Sequence, residues 1–287
     1  MKTIEFFKQK NVLSFEVFPP KRSAAVDTIF GTLAALKNLN PDFISVTYGA
    51  SGSDNCEATL KIASAIKNDY GIESVAHLPC ISLSKEHALL QLDGFKKAGI
   101  DNILALRGDL PVSGTTHSDF RYASDLISLI KGNGDFNVIA ACYPEGHKES
   151  RDMISDMRNL KTKVDAGADQ LITQLFFDND YFYRFRERAC LAGIDVPIEA
   201  GIMPVVNKKQ IERMATLCGV NLPPKFVKMM ERYENSPEAM RDAGIAYAVD
   251  QIVDLITQGA DGIHLYTMNN PYIAQKIYEA VCRLIAA

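Results

Sequence analysis

The segment 166-AGADQLITQLFF-177 passes directly from the end of one predicted helix into a short apolar run. A glycine just past the last turn of a helix adopts the left-handed cap conformation, and a strand can follow within a few residues. The run QLITQLFF is short and rich in apolar residues, which is typical of a strand covered on both faces. The same junction occurs at 98-AGID-101, 192-AGID-195 and 259-GAD-261. The repetition indicates one structural unit used several times.

Eight short apolar runs that end at glycine, proline or polar residues are predicted to be strands. They are 12-VLSFEVF-18, 43-FISVTYG-49, 74-SVAHLPC-80, 102-NILALRG-108, 137-NVIAACY-143, 170-QLITQLFF-177, 197-PIEAGIM-203 and 262-GIHLYTM-268. Stretches with helical periodicity lie between them, such as 25–39, 84–99 and 150–167, and Ser84 is predicted to cap the second of these.

Strand followed by helix, eight times over and with right-handed crossovers, predicts an α/β protein built as a closed (β/α)8 TIM barrel. An open doubly wound sheet is the alternative. No linker divides residues 1–287, so we expect a single-domain catalytic barrel over that range. The segment 221–244 enlarges the connection between the last two strands.

Charge and cysteine content exclude several classes of protein. The chain has 31 basic and 35 acidic side chains, a net charge of -4, and no basic run, so neither nucleic acid nor an anionic membrane is expected as a partner. The six cysteines show no CxxC spacing, which favours reduced, buried thiols over a disulfide scaffold. The N-terminal residues lack the apolar core of a signal peptide, and no apolar run reaches the ~18 residues of a membrane span. We expect a soluble cytoplasmic protein.

Polar residues gather where the chemistry of such a barrel takes place, at the C-terminal ends of the strands. Nearly every predicted strand contributes some of them: Glu16, Thr47, Tyr48, His77, the turn 107-RGDLP-111, the turn 143-YPEGH-147, Thr173, Gln174, Glu199, His264, Tyr266 and Thr267. A purely structural barrel would bury apolar side chains at most of these positions, so the pattern favours an enzyme.

Several of these residues also have a structural interpretation. His77 could be a core histidine bonded to a neighbouring carbonyl, and Arg107 could pair with Asp109 across the turn that joins them. Gln174 could satisfy backbone groups of the barrel, and Glu199 could cap a loop.

Neither a metal site nor a glycine-rich phosphate loop is expected. The residues that could surround a metal lack the close spacing typical of metal ligands; they are His77, Asp109, Glu145 and His147. The loop 49-GASGSD-54 comes nearest to a phosphate loop, but it matches neither nucleotide-binding pattern. A GxSxG turn with a nucleophilic serine is also absent.

A series of motifs resembles those of the bacterial methylenetetrahydrofolate reductases, in the family's order and over most of the chain. The motifs are SFEVFPP (14–20), SVTYGA (45–50), AHLPC (76–80), ALRGDLP (105–111), YASDLI (122–127), AACYPEGH (140–147), NLKTKVDAGAD (159–169), ITQLFFD (172–178), GIMPV (201–205) and HLYTMN (264–269). The resemblance implies an enzyme that binds FAD, with NADH favoured over NADPH as the reductant. It would reduce 5,10-methylenetetrahydrofolate to 5-methyltetrahydrofolate for methionine synthesis. It also implies a ping-pong cycle through the flavin and a homo-oligomer.

The resemblance assigns roles to individual positions. Glu16 matches the general acid that helps to open the imidazolidine ring of the folate, and Asp109 matches the aspartate beside the flavin and the pterin. Positions that match FAD contacts are Thr47, His77, Arg107, Gly108, Asp109, Tyr122, Ala123, Tyr143, His147, Asp156, Asn159 and Lys163. Gln174 and Gln210 match folate contacts.

Because a carboxyl group among apolar neighbours resists ionisation, the surroundings of Glu16 favour the protonated form that an acid needs. Asp109, next to Arg107, is expected to stay charged, and Arg107 and Lys163 would offset the FAD diphosphate.

Two positions on the substrate side depart from the family pattern. Met214 stands where the family often has a phenylalanine that packs on nicotinamide and folate, and Asn270 stands where an arginine meets the folate tail. Lys208 or Lys209 could supply the missing charge.

Two other functions stay open. One is a flavin-free barrel lyase or aldolase, which would need a Schiff-base lysine or a metal, and the other is a non-catalytic protein that binds folate or flavin.

Overall fold

The computed structural model describes residues 1–20, 26–48, 54–109 and 118–286 of the chain. Most of the 49-GASGSD-54 loop lies outside these ranges, as do Leu110 and Pro111 at the end of the RGDLP turn.

All eight predicted strands are present, and they form one closed parallel barrel in chain order. The strands are β1 Val12–Val17, β2 Phe43–Val46, β3 Glu73–Pro79, β4 Asn102–Leu106, β5 Asn137–Cys142, β6 Gln170–Thr173, β7 Ile198–Ile202 and β8 Gly262–Tyr266. β1 pairs with both β2 and β8, which places Glu16 opposite Ser45 on one side and Tyr266 on the other. This pairing closes the sheet, so the (β/α)8 barrel is confirmed and the open sheet is excluded.

Helices alternate with the strands, as the periodicity predicts. They are α1 Val26–Lys37, α2 Asp54–Asn68, α3 Lys85–Lys97, α4 Ala123–Gly132, α5 Met153–Asp165, α6 Asn179–Leu191, α7 Lys208–Cys218, α8 Pro224–Tyr233, α9 Pro237–Thr257 and α10 Pro271–Ile285. The Ser84 cap is confirmed, since its side chain accepts a hydrogen bond from His87 N. The enlarged connection between β7 and β8 carries α7, α8 and α9. None of the helices within the described ranges has both the length and the apolar character needed to cross a membrane.

The recurring glycine–aspartate junction also ties neighbouring strands together. Its glycines have the predicted left-handed conformation, with φ of 72° at Gly99, 112° at Gly167, 71° at Gly193 and 74° at Gly259. Asp169, just before β6, accepts a hydrogen bond from Val138 N in β5 at 2.7 Å. Asp261, just before β8, accepts one from Ile198 N in β7 at 2.9 Å. These aspartates therefore satisfy backbone donors at the N-terminal edge of the barrel.

The N-terminal end of the barrel is filled and closed. An apolar cluster occupies the interior there; it consists of Val12, Phe43, Val75, Leu104, Ile139 and Ile172. A 3-10 helix, Thr3–Lys8, lies beneath this cluster and buries Thr3 completely. Thr3 N donates to Asn102 Oδ1 and Thr3 Oγ1 donates to Gln170 Oε1, both at 2.8 Å, while Asn137 Nδ2 donates to Thr3 Oγ1 at 2.8 Å. Thr3 thus joins polar side chains at the starts of β4, β5 and β6 and closes the N-terminal end of the barrel.

Candidate active site

Glu16 points into the mouth of the barrel because side chains alternate along β1. Its neighbours Phe15 and Val17 belong to the apolar shell on the outer face of the strand. The Glu16 side chain is 19% exposed, and its Oε2 lies 3.6 Å from His77 Nε2 and 3.7 Å from His264 Nε2. The apolar sequence around Glu16 thus packs on the other face of the strand, while the carboxyl group itself faces two imidazole rings.

The loop after β8 holds the end of β1 in place. Thr267 Oγ1 donates to Glu16 O at 2.6 Å. The Asn269 amide forms two hydrogen bonds with Phe18, donating to its carbonyl at 2.8 Å and accepting from its N–H at 3.0 Å. Met268 and Asn269 have φ of 51° and 54°, a left-handed conformation that asparagine tolerates better than most residues. Sequence reasoning named Thr267 but missed Asn269, and the consecutive asparagines after the last strand were the available signal.

His77, in β3, is buried and uncharged at neutral pH. Its Nε2 has no hydrogen-bond partner within the described residues and faces Glu16. Burial lowers the pKa of His77 to about 4, with Glu16 opposing this change and His264 adding to it. The interpretation of His77 as a core histidine therefore does not account for its Nε2, which faces the mouth.

Glu199 lies deeper in the barrel than the sequence suggests. The expected positions, at the mouth or capping a loop, are wrong, because Glu199 is the second residue of β7, opposite Gly262, and is fully buried. Its Oε1 accepts a hydrogen bond from Ser14 Oγ at 2.7 Å, and Ser14 Oγ lies 2.6 Å from His264 Nδ1. Burial raises the pKa of Glu199 to about 8, against the opposing effect of the Ser14 hydrogen bond. The apolar run 197–203 does not reveal where the strand starts, and that start sets the depth of each side chain.

Tyr266 and Thr173, also expected to present polar groups at the mouth, join strands instead. Tyr266 Oη donates across the interior to Thr173 O at 2.7 Å, and Gly201 N donates to Thr173 Oγ1 at 2.8 Å. A Cβ at position 201 would lie 2.8 Å from Tyr266 Oη and 2.4 Å from Thr173 O, so only glycine fits between them. Burial raises the pKa of Tyr266 well above its ordinary value, and its hydroxyl stays protonated.

A cavity of about 590 Å³ lies beside the mouth, between the ends of β4 and β5 and the helices α4 and α5. Its volume falls within the range of about 300–1,000 Å³ that is usual for small-molecule sites. Eight of the twelve positions assigned to FAD line it: Arg107, Tyr122, Ala123, Tyr143, His147, Asp156, Asn159 and Lys163. Leu106, which lines the cavity, is the register partner of Pro79 in β3. Because Pro79 lies only two residues after His77, the cavity adjoins the mouth.

The other four positions assigned to FAD lie outside this lining. Thr47 follows β2 and is partly buried, whereas His77 faces Glu16. Gly108 has a φ of 86°, and a Cβ there would approach Ile81 Cγ2 to 2.6 Å. Asp109 is exposed at the edge of the described residues.

Arg107 makes a two-pronged ion pair at the rim of the cavity. Its Nη1 and Nη2 donate to the two carboxylate oxygens of Glu149 at 2.6 and 2.8 Å. This hydrogen bonding raises the pKa of Arg107 and lowers that of Glu149. The suggested pairing of Arg107 with Asp109 is therefore replaced by a pairing with Glu149, a residue that sequence reasoning did not select.

Hydrogen bonds order the cavity wall formed by the β5 loop and α5. Asp156 Oδ1 accepts from His147 N at 3.2 Å and from Ser150 Oγ at 2.8 Å. The His147 ring meets Tyr143 edge-on, with centroids 4.7 Å apart, and burial lowers the pKa of His147.

Lys163 reaches toward the strands from helix α5. Its Nζ donates to Ala141 O at 2.8 Å and lies 5.5 Å from the centroid of the Tyr143 ring. Burial lowers the pKa of Lys163. Since Lys163 is on a helix and bonded to a carbonyl, it is not the strand-end lysine that an aldolase would need.

Two of the positions assigned to folate lie on loops or helix starts above the barrel. Gln174 follows β6, and its own Oε1 accepts from Leu175 N at 2.9 Å. Gln210 is half-buried in the first turn of α7, and Met214, one turn later, packs against an apolar cluster that covers the β6 and β7 loops.

Two of the three residues considered for the folate tail, Asn270 and Lys208, bond to other groups of the protein. Asn270 caps α10, since its Oδ1 accepts from Ile273 N at 3.3 Å. Lys208 pairs with Glu234 at 2.6 Å, while Lys209 is exposed.

The carboxyl group of Glu145 bonds to the α7–α8 loop. Its Oε2 accepts hydrogen bonds from Asn221 N at 3.0 Å and from Asn221 Nδ2 at 2.5 Å. Burial raises the pKa of Glu145. In the part of the chain that the structure describes, no group of three or more His, Cys, Asp or Glu side chains is arranged to hold a metal ion.

Comparison with known proteins identifies the family. A family model described as methylenetetrahydrofolate reductase matches residues 2–282. The 5,10-methylenetetrahydrofolate reductase of Pectobacterium carotovorum is 40% identical over 92% of this chain and 88% of its own length, and that of Escherichia coli K12 is 38% identical over the same shares. An uncharacterised Clostridium thermocellum protein, described as binding two copies of 5-methyl-5,6,7,8-tetrahydrofolic acid, has the same fold with a TM-score of 0.68; it is 13% identical, over 99% of each chain. Since the family model spans nearly the whole chain and the bacterial relatives match most of it, the chain belongs to the methylenetetrahydrofolate reductase family of oxidoreductases.

Proposed function

We propose that this chain binds FAD and uses it to reduce 5,10-methylenetetrahydrofolate to 5-methyltetrahydrofolate, with NADH as the favoured reductant. The two substrates would react in turn in a ping-pong cycle. The arrangement that carries the proposal is Glu16, held at the barrel mouth opposite two histidines and beside a cavity with cationic residues in its lining. Family membership supports the reductase activity in general.

The residues of the cavity fit FAD in size and donor type. Arg107 and Lys163 supply positive charge for a diphosphate, and the exposed ring of Tyr122 offers an aromatic surface at the rim. The buried His77 Nε2, which has no partner among the described side chains, is available to a ligand group at the mouth. A diphosphate at Arg107 would have to replace Glu149, which now occupies both guanidinium donors. When bound, FAD would accept a hydride from the nicotinamide and pass it to the methylene carbon of the folate.

Glu16 is the proposed proton donor of the reaction. It would protonate the folate N10, so that the imidazolidine ring opens to an iminium that accepts the hydride. His77 is neutral at neutral pH, so it places no positive charge beside Glu16 that would favour ionisation of the carboxyl group. The exposed Asp109 would lie beside the pterin and the flavin, where its negative charge stabilises the iminium. Gln174 and Gln210 would bind the folate, and Met214 would pack against it.

Spectroscopy and rapid kinetics test this function. We expect protein loaded with FAD to show flavin absorption bands, to be bleached by NADH in a stopped-flow instrument, and to recover its colour when methylenetetrahydrofolate is added. Product analysis would find 5-methyltetrahydrofolate, and NADPH in place of NADH would bleach the flavin more slowly. The proposal would be refuted if the protein did not bind added FAD, or if the folate did not reoxidise the reduced flavin.

We further propose that residues 1–287 act as one catalytic domain of a cytoplasmic homo-oligomer. The support is the resemblance to single-domain bacterial reductases. Light scattering on the purified protein tests the oligomer, and a mass equal to that of one chain would contradict it.

A further inference from the structure

A row of polar groups crosses the barrel interior from β7 to Glu16. We call its members, Glu199, Ser14, His264 and Glu16, the interior relay. Glu199 Oε1 and Ser14 Oγ are 2.7 Å apart, and Ser14 Oγ and His264 Nδ1 are 2.6 Å apart. The last step, from His264 Nε2 to Glu16 Oε2, measures 3.7 Å. Three of the four side chains are completely buried, and only Glu16 reaches the mouth.

Every inner member of the interior relay can both give and accept a proton. With the proton on Glu199, Ser14 donates to His264 Nδ1 and the ring presents Nε2–H to Glu16. With the proton on Glu16, the ring carries it on Nδ1 and donates to Ser14, which donates to Glu199. The two arrangements use the same contacts, so a proton can change ends without any side chain leaving its place.

The surroundings of Glu199 favour its neutral form. Its Oε2 has no hydrogen-bond partner in the described structure, and an ionised carboxylate buried with one donor is unfavourable. The charged groups that act on it are Asp42 and Asp261, in the loops before β2 and β8, and both disfavour ionisation. Lys10 pairs with Asp42 at 2.6 Å and partly offsets that charge. These effects agree with a pKa of about 8 for Glu199.

At the other end, Glu16 faces His77, His264 and Tyr266. Burial keeps His77 and Tyr266 neutral near pH 7, so neither supplies a mobile proton there. The 3.7 Å gap exceeds a hydrogen bond, but the partly exposed Glu16 can close it, since catalytic hydrogen bonds often tighten only when substrate binds.

Building on the proposed reduction of methylenetetrahydrofolate, which takes up one proton per turnover, we propose that Glu199 holds this proton and passes it through Ser14 and His264 to Glu16. Glu199 is thus a residue that acts through others and never touches the substrate.

The transfer balances at every atom. Glu199 gives its proton to Ser14 Oγ, Ser14 gives its own to His264 Nδ1, and His264 gives the Nε2 proton to Glu16 Oε2. Glu16 then protonates the folate N10 as the bond from this nitrogen to the methylene carbon breaks, and the bonding electron pair stays on nitrogen. The hydride reaches the carbon from the nicotinamide by way of the flavin. After product release, solvent refills the interior relay through Glu16.

The test separates the two half-reactions of the FAD-loaded enzyme as a function of pH. In the wild type we expect reoxidation by methylenetetrahydrofolate to slow as pH rises through about 8, where Glu199 loses its proton. Glu199→Gln cannot release a proton, so reoxidation at neutral pH should fall by about tenfold or more, and the decline should begin at lower pH. Flavin reduction by NADH should not change, because it does not use this proton.

Ser14→Ala and Ser45→Ala form a matched pair. Ser14 is the middle of the interior relay, whereas Ser45 Oγ is an equally buried serine hydroxyl, opposite Glu16 in register and without a partner among the described residues. We expect Ser14→Ala to reproduce the Glu199→Gln profile, the double variant to add nothing further, and Ser45→Ala to match the wild type. Wild-type-like reoxidation profiles for Glu199→Gln and Ser14→Ala would overturn the relay but leave the reductase intact. Failure of the wild type to react with the folate would instead refute the proposed function.

A second measurement does not depend on catalysis. Nitrogen-15 NMR of the histidine rings reports which nitrogen of His264 carries the proton. We expect the Nε2–H form to dominate below pH 8 and to decline above it in the wild type, with no such change in Glu199→Gln. A ring state that is the same in both proteins across this range would overturn the proposal.

Discussion

At the scale of single residues, Glu16 illustrates how strand alternation separates chemistry from packing. Phe15 and Val17 belong to the apolar shell, and Glu16 between them faces His77 and His264. The sequence shows the acid among apolar neighbours, and the structure shows that these neighbours pack on the opposite face. The partners of the carboxyl group are therefore the two imidazole rings.

Replacing Glu16 by glutamine tests its role as the acid. Glu16→Gln keeps the shape of the side chain but cannot protonate N10, so folate reduction should fall by about 10²- to 10⁴-fold. The variant should retain FAD and still oxidise NADH with a quinone acceptor, which a stopped-flow assay measures. Glu279→Gln, at an exposed site on α10, is the control and should behave as wild type. Full folate turnover by Glu16→Gln would refute the acid role.

Which polar residues could be found from sequence depended on how local their partners are. The segment around Glu16 was enough to predict a functional acid, and the residues directly after Ser84 were enough to predict a helix cap. Ser14 was not visible, because its partners Glu199 and His264 lie 185 and 250 residues away along the chain. Glu199 was visible as a polar residue but was placed wrongly, since its depth depends on the residue at which β7 begins.

At the scale of elements, the first turn of α10 explains one departure from the family pattern. Asn270 accepts a hydrogen bond from Ile273 N and thereby caps the helix. We expect Asn270→Ala to lower the free energy of unfolding by about 1 kcal/mol. Asn270→Asp keeps an acceptor at the positive end of the helix dipole and should be at least as stable as the wild type. Urea denaturation measures both.

The folate kinetics of these variants distinguish capping from binding. If Asn270 only caps α10, Asn270→Ala leaves the KM for methylenetetrahydrofolate unchanged in the well-folded enzyme. An increased KM with unchanged stability would show instead that this side chain contacts the folate.

The ion pair between the β4 and β5 loops should oppose FAD binding. Because Glu149 occupies both donor edges of Arg107, a diphosphate gains that guanidinium only by displacing the carboxylate. Exposed ion pairs contribute about 0–1 kcal/mol, so Glu149→Gln should tighten FAD binding by up to about fivefold. Fluorescence titration of the flavin-free protein measures this, with Glu187→Gln on the exposed face of α6 as control. Weaker binding by Glu149→Gln would mean that Glu149 positions Arg107 for the cofactor.

At the scale of the whole molecule, the repeated strand–helix units in the sequence predict the closed barrel. They do not predict the 3-10 helix that closes its N-terminal end. Eight similar strand–helix units leave few arrangements other than a ring. The sequence of the 3-10 helix Thr3–Lys8 carries no local signal for this role. Its role depends on Asn102, Asn137 and Gln170, which start three different strands. Such contacts are specified by the closed barrel and leave no local pattern.

Two buried groups should set the dependence of stability on pH. The pKa of Glu199 is raised from 4.5 to about 8 on folding, so its contribution is present below pH 4.5 and is lost as pH rises through 8. The pKa of His77 is lowered from 6.5 to about 4, so its contribution is present above pH 6.5 and is lost as pH falls through 4. Between pH 6.5 and 8, Glu199 therefore makes the free energy of unfolding depend on pH, while His77 does not.

In that window we expect the free energy of unfolding of the flavin-free wild type to fall by about 2 kcal/mol relative to that of Glu199→Gln. Urea denaturation at several pH values measures the difference. Glu199→Gln serves as the reference because all other titrating groups remain in place. Parallel curves for the two proteins would show that Glu199 is already ionised in the folded state.

The buried Thr3 also bears on the order in which the chain can be completed as it is synthesised. Thr3 leaves the ribosome well before its partners, which follow 99, 134 and 167 positions later. Until β6 has emerged, the segment Thr3–Lys8 lacks part of its binding site on the barrel, and Phe6 and Phe7, which later pack against the interior cluster, stay exposed. Contacts this distant in sequence form late and slowly. This segment is therefore synthesised long before it can be fixed in place, and until then its aromatic side chains are available to a chaperone.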